Sequence, residues 1–439
     1  MSAELILLCI FACLFTAILA GFPVAFSVAG LGLIFGVISN GTNFFDLAAS
    51  AAIGVMSSET LVAIPLFVFM GNMLDKSGIA ESLFKSIYMW LRPIPGGLSI
   101  GTIIICTILA ATTGIIGTTE VLMGVLALPE MIKRNYDNRL ACGTILAGGA
   151  LGILIPPSIM LVMYGPGVGI SVGKLFMAAI PCGLLLSAIF IIYVFIRCFI
   201  NPELAPKGLE DEDHISFKEK IKYTFFALTP PAFLVLTVLG TIFFGLATPT
   251  EAAACGAVGS IIVTACYKKL NLNVLKETAD STILISAMIL IVTIGASVFT
   301  TMFMAGGYGQ IINEMVLKAN LSANQIIALL LLIVFIMGFV LDWISILLIF
   351  IPIFAQITAQ MGIDKLYFGV LVCLMLQTSF LTPPMAPAIF YLRGVAPPSV
   401  KTSDMMIGLI PFCLLQLLCV VVIAMFPEIV LWLPNKMIK

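Results

Sequence analysis

Three carboxylates, Glu120, Glu251 and Asp342, stand inside or beside apolar stretches of this chain. An acid at membrane depth is costly and is ordinarily kept for an ion, a proton or a substrate. Hydroxyls at Thr118, Thr119, Ser158, Ser345, Thr378 and Thr382 lie near two of these acids or near paired prolines. The pairs are Pro156-Pro157, in GGALGILIPPSIMLVMYG (148–165), and Pro383-Pro384, in SFLTPPMAPAIFYLRG (379–394). A proline within a helix removes a backbone donor and clashes with the preceding turn, so each pair leaves several amides and carbonyls unpartnered. In lipid such a break survives only where it lines a polar cavity. Each break therefore marks a candidate binding site.

The two breaks occupy corresponding places in two weakly similar halves. AGFPVAFSVAGLG around Pro23 matches LATPTEAAACGAVG around Pro249, and VGKLFMAAIPCGLL around Pro181 matches TSDMMIGLIPFCLL around Pro411. Interrupted segments in register in two halves are the mark of a secondary transporter with its site at the repeat interface.

Composition agrees with a membrane solvent. The chain is 61% hydrophobic and 10% charged, with a mean hydropathy of +1.19, whereas a soluble domain carries about 25% charge. A net charge of −1 offers no basic surface to nucleic acid. The run from Leu5 to Ala20 lacks a positive flank and leads straight into a second apolar run, so it reads as a retained span. Most of the eleven cysteines sit singly in apolar runs, as small hydrophobes do, and Cys9 and Cys13 lack the C-x-x-C spacing of redox and zinc motifs. The one histidine, His214, lies in a charged loop, which excludes a His-dependent nucleophile and a histidine-rich metal centre.

The expected fold is an all-α polytopic membrane protein with an inverted repeat, two re-entrant hairpins and two broken helices. The first repeat, 1–196, holds spans near 4–20 and 22–39, an interfacial segment at Asn43–Ser57, a span at Glu59–Leu74 and a surface arm at Ile79–Leu91. A hairpin at 98–132, a broken helix at 140–165 and a span at 174–196 complete it. The arms of 98–132, about 14 residues each, reach only ~21 Å and fall short of the ~30 Å hydrocarbon core, hence a hairpin. A polar linker, 197–222, leads to the second repeat, 223–439. That repeat has spans at Tyr223–Phe244 and Thr250–Tyr267, a surface segment at Asn271–Asp280, a span at Ser281–Met304 and an arm from Gly306. The hairpin 326–357, the broken helix 366–392 and a span near 404–426 follow. With both termini outside, only Lys174, Lys318, Lys365, Lys436 and Lys439 of the 21 basic residues fall outside, a strong positive-inside bias.

Hairpin turns and proline breaks each end one half-helix and begin another near the midplane. Helix starts after Thr119, Pro157, Leu341 and Pro384 present free N–H groups and positive dipole ends to an anion. Helix ends near Gly114, Leu154, Gly338 and Leu381 offer carbonyls to a small cation. The substrate candidates are thus Thr118, Thr119, Glu120, Pro157, Ser158 and Pro384. The cation candidates are Gly114, Gly117, Leu154, Gly338, Asp342, Ser345, Thr378 and Thr382. Asp342 reads as a cation ligand ahead of a helix cap, and Glu251 as structural. Glu120 stays open between cap, proton carrier and substrate contact.

Nearly the whole chain resembles the large membrane subunit of the tripartite ATP-independent periplasmic (TRAP) transporters. PLFVFMGNMLDKSGIAE, LPEMIKRNYDNRLACGTILAGGALGILIPPSIMLVMYG, GLATPTEAAA and FLTPPMAPAIFYLRGVAPPS carry the resemblance. The last block, with MIKRNYDNRLACGT, is similar to the branch associated with keto acids, mannitol and chloroaromatic acids. The resemblance implies an elevator in a bacterial inner membrane, coupled to Na+, that takes up a small organic acid. It also implies a periplasmic substrate-binding protein and a small four-span subunit as partners, besides the lipid bilayer. One departure stands out: the first hairpin tip of the family is usually small and hydroxylic, whereas GTTE here carries Glu120.

Other classes fit less well. A self-sufficient sodium–dicarboxylate symporter would share the architecture without partner proteins. A primary-pump permease needs a coupling segment for an ATPase, for which the acidic 197–222 loop is poorly patterned. An enzyme would need a nucleophile and base, and no such pair is evident.

Overall fold

The computed structural model describes residues 3–114, 117–206, 216–382 and 386–437. Among them every regular element is helical, and seven stretches are long and apolar enough to cross a membrane. The first half comprises α1 (Ala3–Leu19), α2 (Val24–Asn40), α3 (Phe44–Met56), α4 (Ala63–Asp75), α5 (Ile79–Leu91), α6 (Gly97–Thr113), α7 (Thr118–Lys133), α8 (Asn138–Ala150), α9 (Ile159–Val168) and α10 (Val172–Ile200). The second comprises α11 (Phe217–Phe243), α12 (Pro249–Cys266), α13 (Leu272–Ala305), α14 (Tyr308–Lys318), α15 (Ala323–Met337), α16 (Trp343–Gln360), α17 (Lys365–Leu381), α18 (Pro387–Val395), α19 (Thr402–Met425) and α20 (Glu428–Met437).

Local chemistry sets the ends. Asp137, Asp364 and Asn271 accept hydrogen bonds from the N–H groups of Leu140, Tyr367 and Val274 at 3.0, 2.8 and 2.9 Å, starting α8, α17 and α13. Thr248 and Glu251 form a capping box on α12, the Thr248 N–H donating to Glu251 Oε2 at 2.7 Å, which accounts for this carboxylate.

Two segments differ from the sequence expectation. The surface segment expected at Asn271–Asp280 and the span after it form one 34-residue helix, α13. No glycine or proline interrupts the chain there. Its charged first turns face outward, where Glu277 pairs with Lys76, while Thr278 and Thr282 are buried on the other side. The terminal helix α20, unanticipated, packs on α10 and α17.

The middle of the molecule is α8 and α17, whose side chains are buried from Leu140 to Ala150 and from Tyr367 to Leu381. Small residues make that approach possible. A Cβ on Gly143 would meet the Gly408 carbonyl oxygen of α19 at 2.2 Å, and one on Gly148 would meet Cys106 Sγ of α6 at 2.9 Å. Around this centre α2, α3 and α4 pack on α13, and α4 on α12.

Candidate functional site

The first hairpin turn lies directly on the first proline break. α6 ends at Gly114, in the left-handed region at φ +58°, and a Cβ there would meet the Pro157 carbonyl oxygen at 2.2 Å. Only a glycine allows both that conformation and that approach. The 3-10 turn after α8 ends at Ile153, and the chain runs through a cis Pro156-Pro157 bond to Ser158, where α9 begins. The second hairpin turn meets the second broken helix in the same manner, since a Cβ on Gly338 would lie 2.5 Å from Ser379 Cβ of α17.

Between these turns lies a cavity of about 130 Å³. Gly114, Ser158, Trp343, Phe380 and Tyr391 line it from the two turns and the two broken helices, and Ile285, Met288 and Ile289 of α13 close the opposite wall. Phe380 and Tyr391 stack at 6.2 Å. None of its described lining residues is Lys or Arg, so its polar recognition falls to backbone groups and hydroxyls. Ile159 and Met160, the first residues of α9, line the cavity. The Ser158 hydroxyl donates to the Ile153 carbonyl instead of capping α9, which leaves the N–H groups of that first turn for a ligand.

The carboxylates sit apart from the cavity lining. Glu120 is fully buried at the start of α7; its Oε2 accepts the Gly117 N–H at 2.8 Å, and Oε1 has no partner among the described residues. A Cβ on Gly149 of α8 would come within 2.4 Å of the Glu120 carboxyl carbon. Thr119 Oγ1 beside it is also buried and without a partner among the described residues, while Thr118 is half-buried. Asp342 caps α16, accepting from the Ile344 and Ser345 N–H groups at 3.1 and 3.4 Å and from the Ser345 hydroxyl.

The remaining expected residues fall close to the breaks. Leu154 is buried in the turn after α8. Thr378 Oγ1 donates to the Met375 carbonyl at 2.5 Å and Thr382 Oγ1 to that of Thr378 at 2.9 Å, so both hydroxyl oxygens keep lone pairs. Pro384 lies outside the described residues. The structure brings Gly114, Pro157 and Ser158 together, and sets Gly117 under the Tyr391 ring, whose atoms a Cβ on that glycine would meet at 3.0 Å. Sequence reading missed Trp343, Phe380 and Tyr391, although each is an aromatic within a few residues of a turn or break. Ile285, Met288 and Ile289 carry no such mark.

Comparison with known proteins decides the family. Residues 11–429 match the model of the tripartite ATP-independent periplasmic transporter, DctM component. The chain belongs to this family. The C4-dicarboxylate TRAP transporter large permease protein DctM of Rhodobacter capsulatus is 28% identical over 98% of both chains. The sialic acid TRAP transporter large permease protein SiaM of Vibrio cholerae is 30% identical over 95% of both. In fold, the chain is similar to the crystal structure of the YdaH transporter of Alcanivorax borkumensis, with a TM-score of 0.64 at 13% identity, covering 96% of this chain and 98% of that one. This DctM component is a TRAP large permease, a multi-pass protein of the bacterial inner membrane. Its relatives are named as transporter permeases.

Proposed function

We propose that this permease takes up a small organic acid by sodium-coupled symport through an elevator movement. The observation that carries the reading is the cavity, which both hairpin turns and both broken helices share with α13. In the elevator, the hairpins and broken helices form the moving domain and α13 is part of the scaffold it slides against, so the substrate rides at their boundary. The acid's carboxylate is held by the first N–H groups of α9 with Ser158 beside them, and Pro157, Thr118, Thr119 and Glu120 support that end of the cavity from the turn behind it. Its body rests on Phe380, Tyr391 and Trp343. Sodium is held at the two turns, by Gly114, Gly117 and Leu154 in the first half and by Gly338, Asp342, Ser345, Thr378 and Thr382 in the second. Relatives named for a C4-dicarboxylate and for sialic acid support the substrate class. Membership of a tripartite periplasmic transporter family supports two partners, a small membrane subunit and a periplasmic binding protein that delivers the acid.

The test is uptake in proteoliposomes holding this chain with its small subunit. Uptake is expected only with the cognate binding protein and an inward sodium gradient. In Asp342→Asn, which retains a good helix cap, the sodium concentration for half-maximal uptake is expected to rise. Uptake by the parent without sodium would overturn the coupling, and uptake without the binding protein would favour a self-sufficient symporter.

The inverted repeat makes its own prediction. In a cysteine-depleted background, a cysteine at Glu203 is expected to react with an impermeant maleimide only from the cytoplasmic side, and one at Asn320 only from outside. Reaction of both from one side would rule out the inversion.

A further inference from the structure

A second cleft, of about 200 Å³, shares no residue with the transport cavity and lies at the ends of three helices. Asp137 and Arg139 line it from the start of α8, Tyr193 and Arg197 from the last turns of α10, and Pro411 and Phe412 from α19. The positive-inside charge distribution puts this end of the molecule in the cytoplasm. Both arginines are exposed. Arg139 is 57% exposed, and its one ion pair among the described residues is a 3.7 Å contact with Asp404. Arg197 is exposed and forms no ion pair among the described residues.

The two acids nearby each cap a helix as well as facing the arginines. Asp137 accepts the Leu140 N–H at 3.0 Å and Asp404 the Lys401 N–H at 3.3 Å, each at the beginning of a helix. Their charges sit at the positive ends of α8 and α19, and Asp404 holds Arg139 only at 3.7 Å, which leaves Arg197 and the outer face of Arg139 to meet an anion. Beneath them the floor is aromatic, with Tyr193 and Phe412 edge to face at 5.3 Å. Ile407, which lines the cleft, is 43% exposed, and Ile196 and Ile410, next in the chain to the lining residues Arg197 and Pro411, are 50% and 55% exposed. Two guanidinium groups lining one cleft suit a phosphate, which arginine binds through two parallel hydrogen bonds.

We propose that this cleft binds an anionic phospholipid of the cytoplasmic leaflet. The phosphate sits between Arg139 and Arg197, and the acyl chains run down the isoleucine rim. A free phosphate would gain nothing from that rim, whereas a lipid covers apolar surface in the same step as it supplies the charge. Bound there, the lipid bridges α8, α10 and α19 and stabilises the first arm of the broken helix against its neighbours.

The test is the thermal unfolding of the purified full chain in detergent, with phosphatidylglycerol, phosphatidylcholine or inorganic phosphate added. Phosphatidylglycerol is expected to raise the unfolding midpoint by several degrees and the other two to leave it in place. In Arg139→Gln with Arg197→Gln, the phosphatidylglycerol shift is expected to fall to less than half. Arg197→Gln alone, at an exposed side chain with no ion pair, supplies the comparison if the double variant does not fold. An equal response to phosphatidylcholine, an undiminished response in the variants, or a full response to inorganic phosphate would each overturn the proposal.

Discussion

Gly114→Ala is expected to lower the initial rate of uptake by about 100-fold while most of the protein stays folded. Two effects act on the same residue. Its φ of +58° places it in the left-handed region, which costs a residue with a Cβ roughly 1–2 kcal/mol. The added methyl would also meet the Pro157 carbonyl oxygen at 2.2 Å, and neither is a flexible side chain that can swing away. The turn must therefore draw back from the break by roughly 1 Å to reach ordinary van der Waals separation. That displacement opens the boundary at which Gly114 and Ser158 line the cavity. Gly167→Ala is the control, because a Cβ there meets nothing within 4 Å; it should transport like the parent. Rates are measured in proteoliposomes and normalised to folded protein by gel filtration. A Gly114→Ala protein with parental rates would show that the contact between turn and break plays no part in transport.

What the sequence made legible is what glycine, proline and capping residues decide locally. The arm read as Ile79–Leu91 is α5 with the same limits, and the TTGIIGTTE interruption spans the end of α6 at Thr113 and the start of α7 at Thr118. Both follow from short-range signals: Asp75-Lys76-Ser77-Gly78 ends one helix, and Gly114 and Gly117 take backbone conformations that stop another. The continuous α13 was misread for the opposite reason. Charges at Lys276, Glu277 and Asp280 look like the end of a membrane segment, but charge does not interrupt a helix when it lies on an outward face. The cavity was half legible. Its polar edge belongs to the breaks, which proline announces, whereas the wall of Ile285, Met288 and Ile289 is contributed by a helix whose pattern resembles any other span. Which span lies opposite the breaks is a matter of tertiary packing, and no spacing in the chain encodes it.

Glu120 shows the same division and yields the second large effect. The hydrogen bond from Gly117 spans three residues and is implied by the GTTE spacing, but the face of Gly149 against the carboxyl group comes from α8 and is not. Glu120→Ala removes a fully buried side chain and leaves the Gly117 N–H buried without an acceptor. Together these cost about 3 kcal/mol of stability at the hairpin turn, and uptake is expected to fall roughly 100-fold, with a lowered unfolding midpoint. Glu120→Gln is the informative partner. Its carbonyl oxygen can accept the same N–H, so a capping role predicts uptake within about tenfold of the parent, or ~1.4 kcal/mol. The unpartnered Oε1 is where the readings separate, since the glutamine carries no charge there to offer an ion, a proton or a substrate. If Glu120→Gln folds, keeps its partners and still fails to transport, the capping account is wrong and the carboxylate acts in the transport cycle itself. A glutamine variant near the parental rate, beside an alanine variant that unfolds early, would identify Glu120 as the residue that holds the first turn in shape against the proline break.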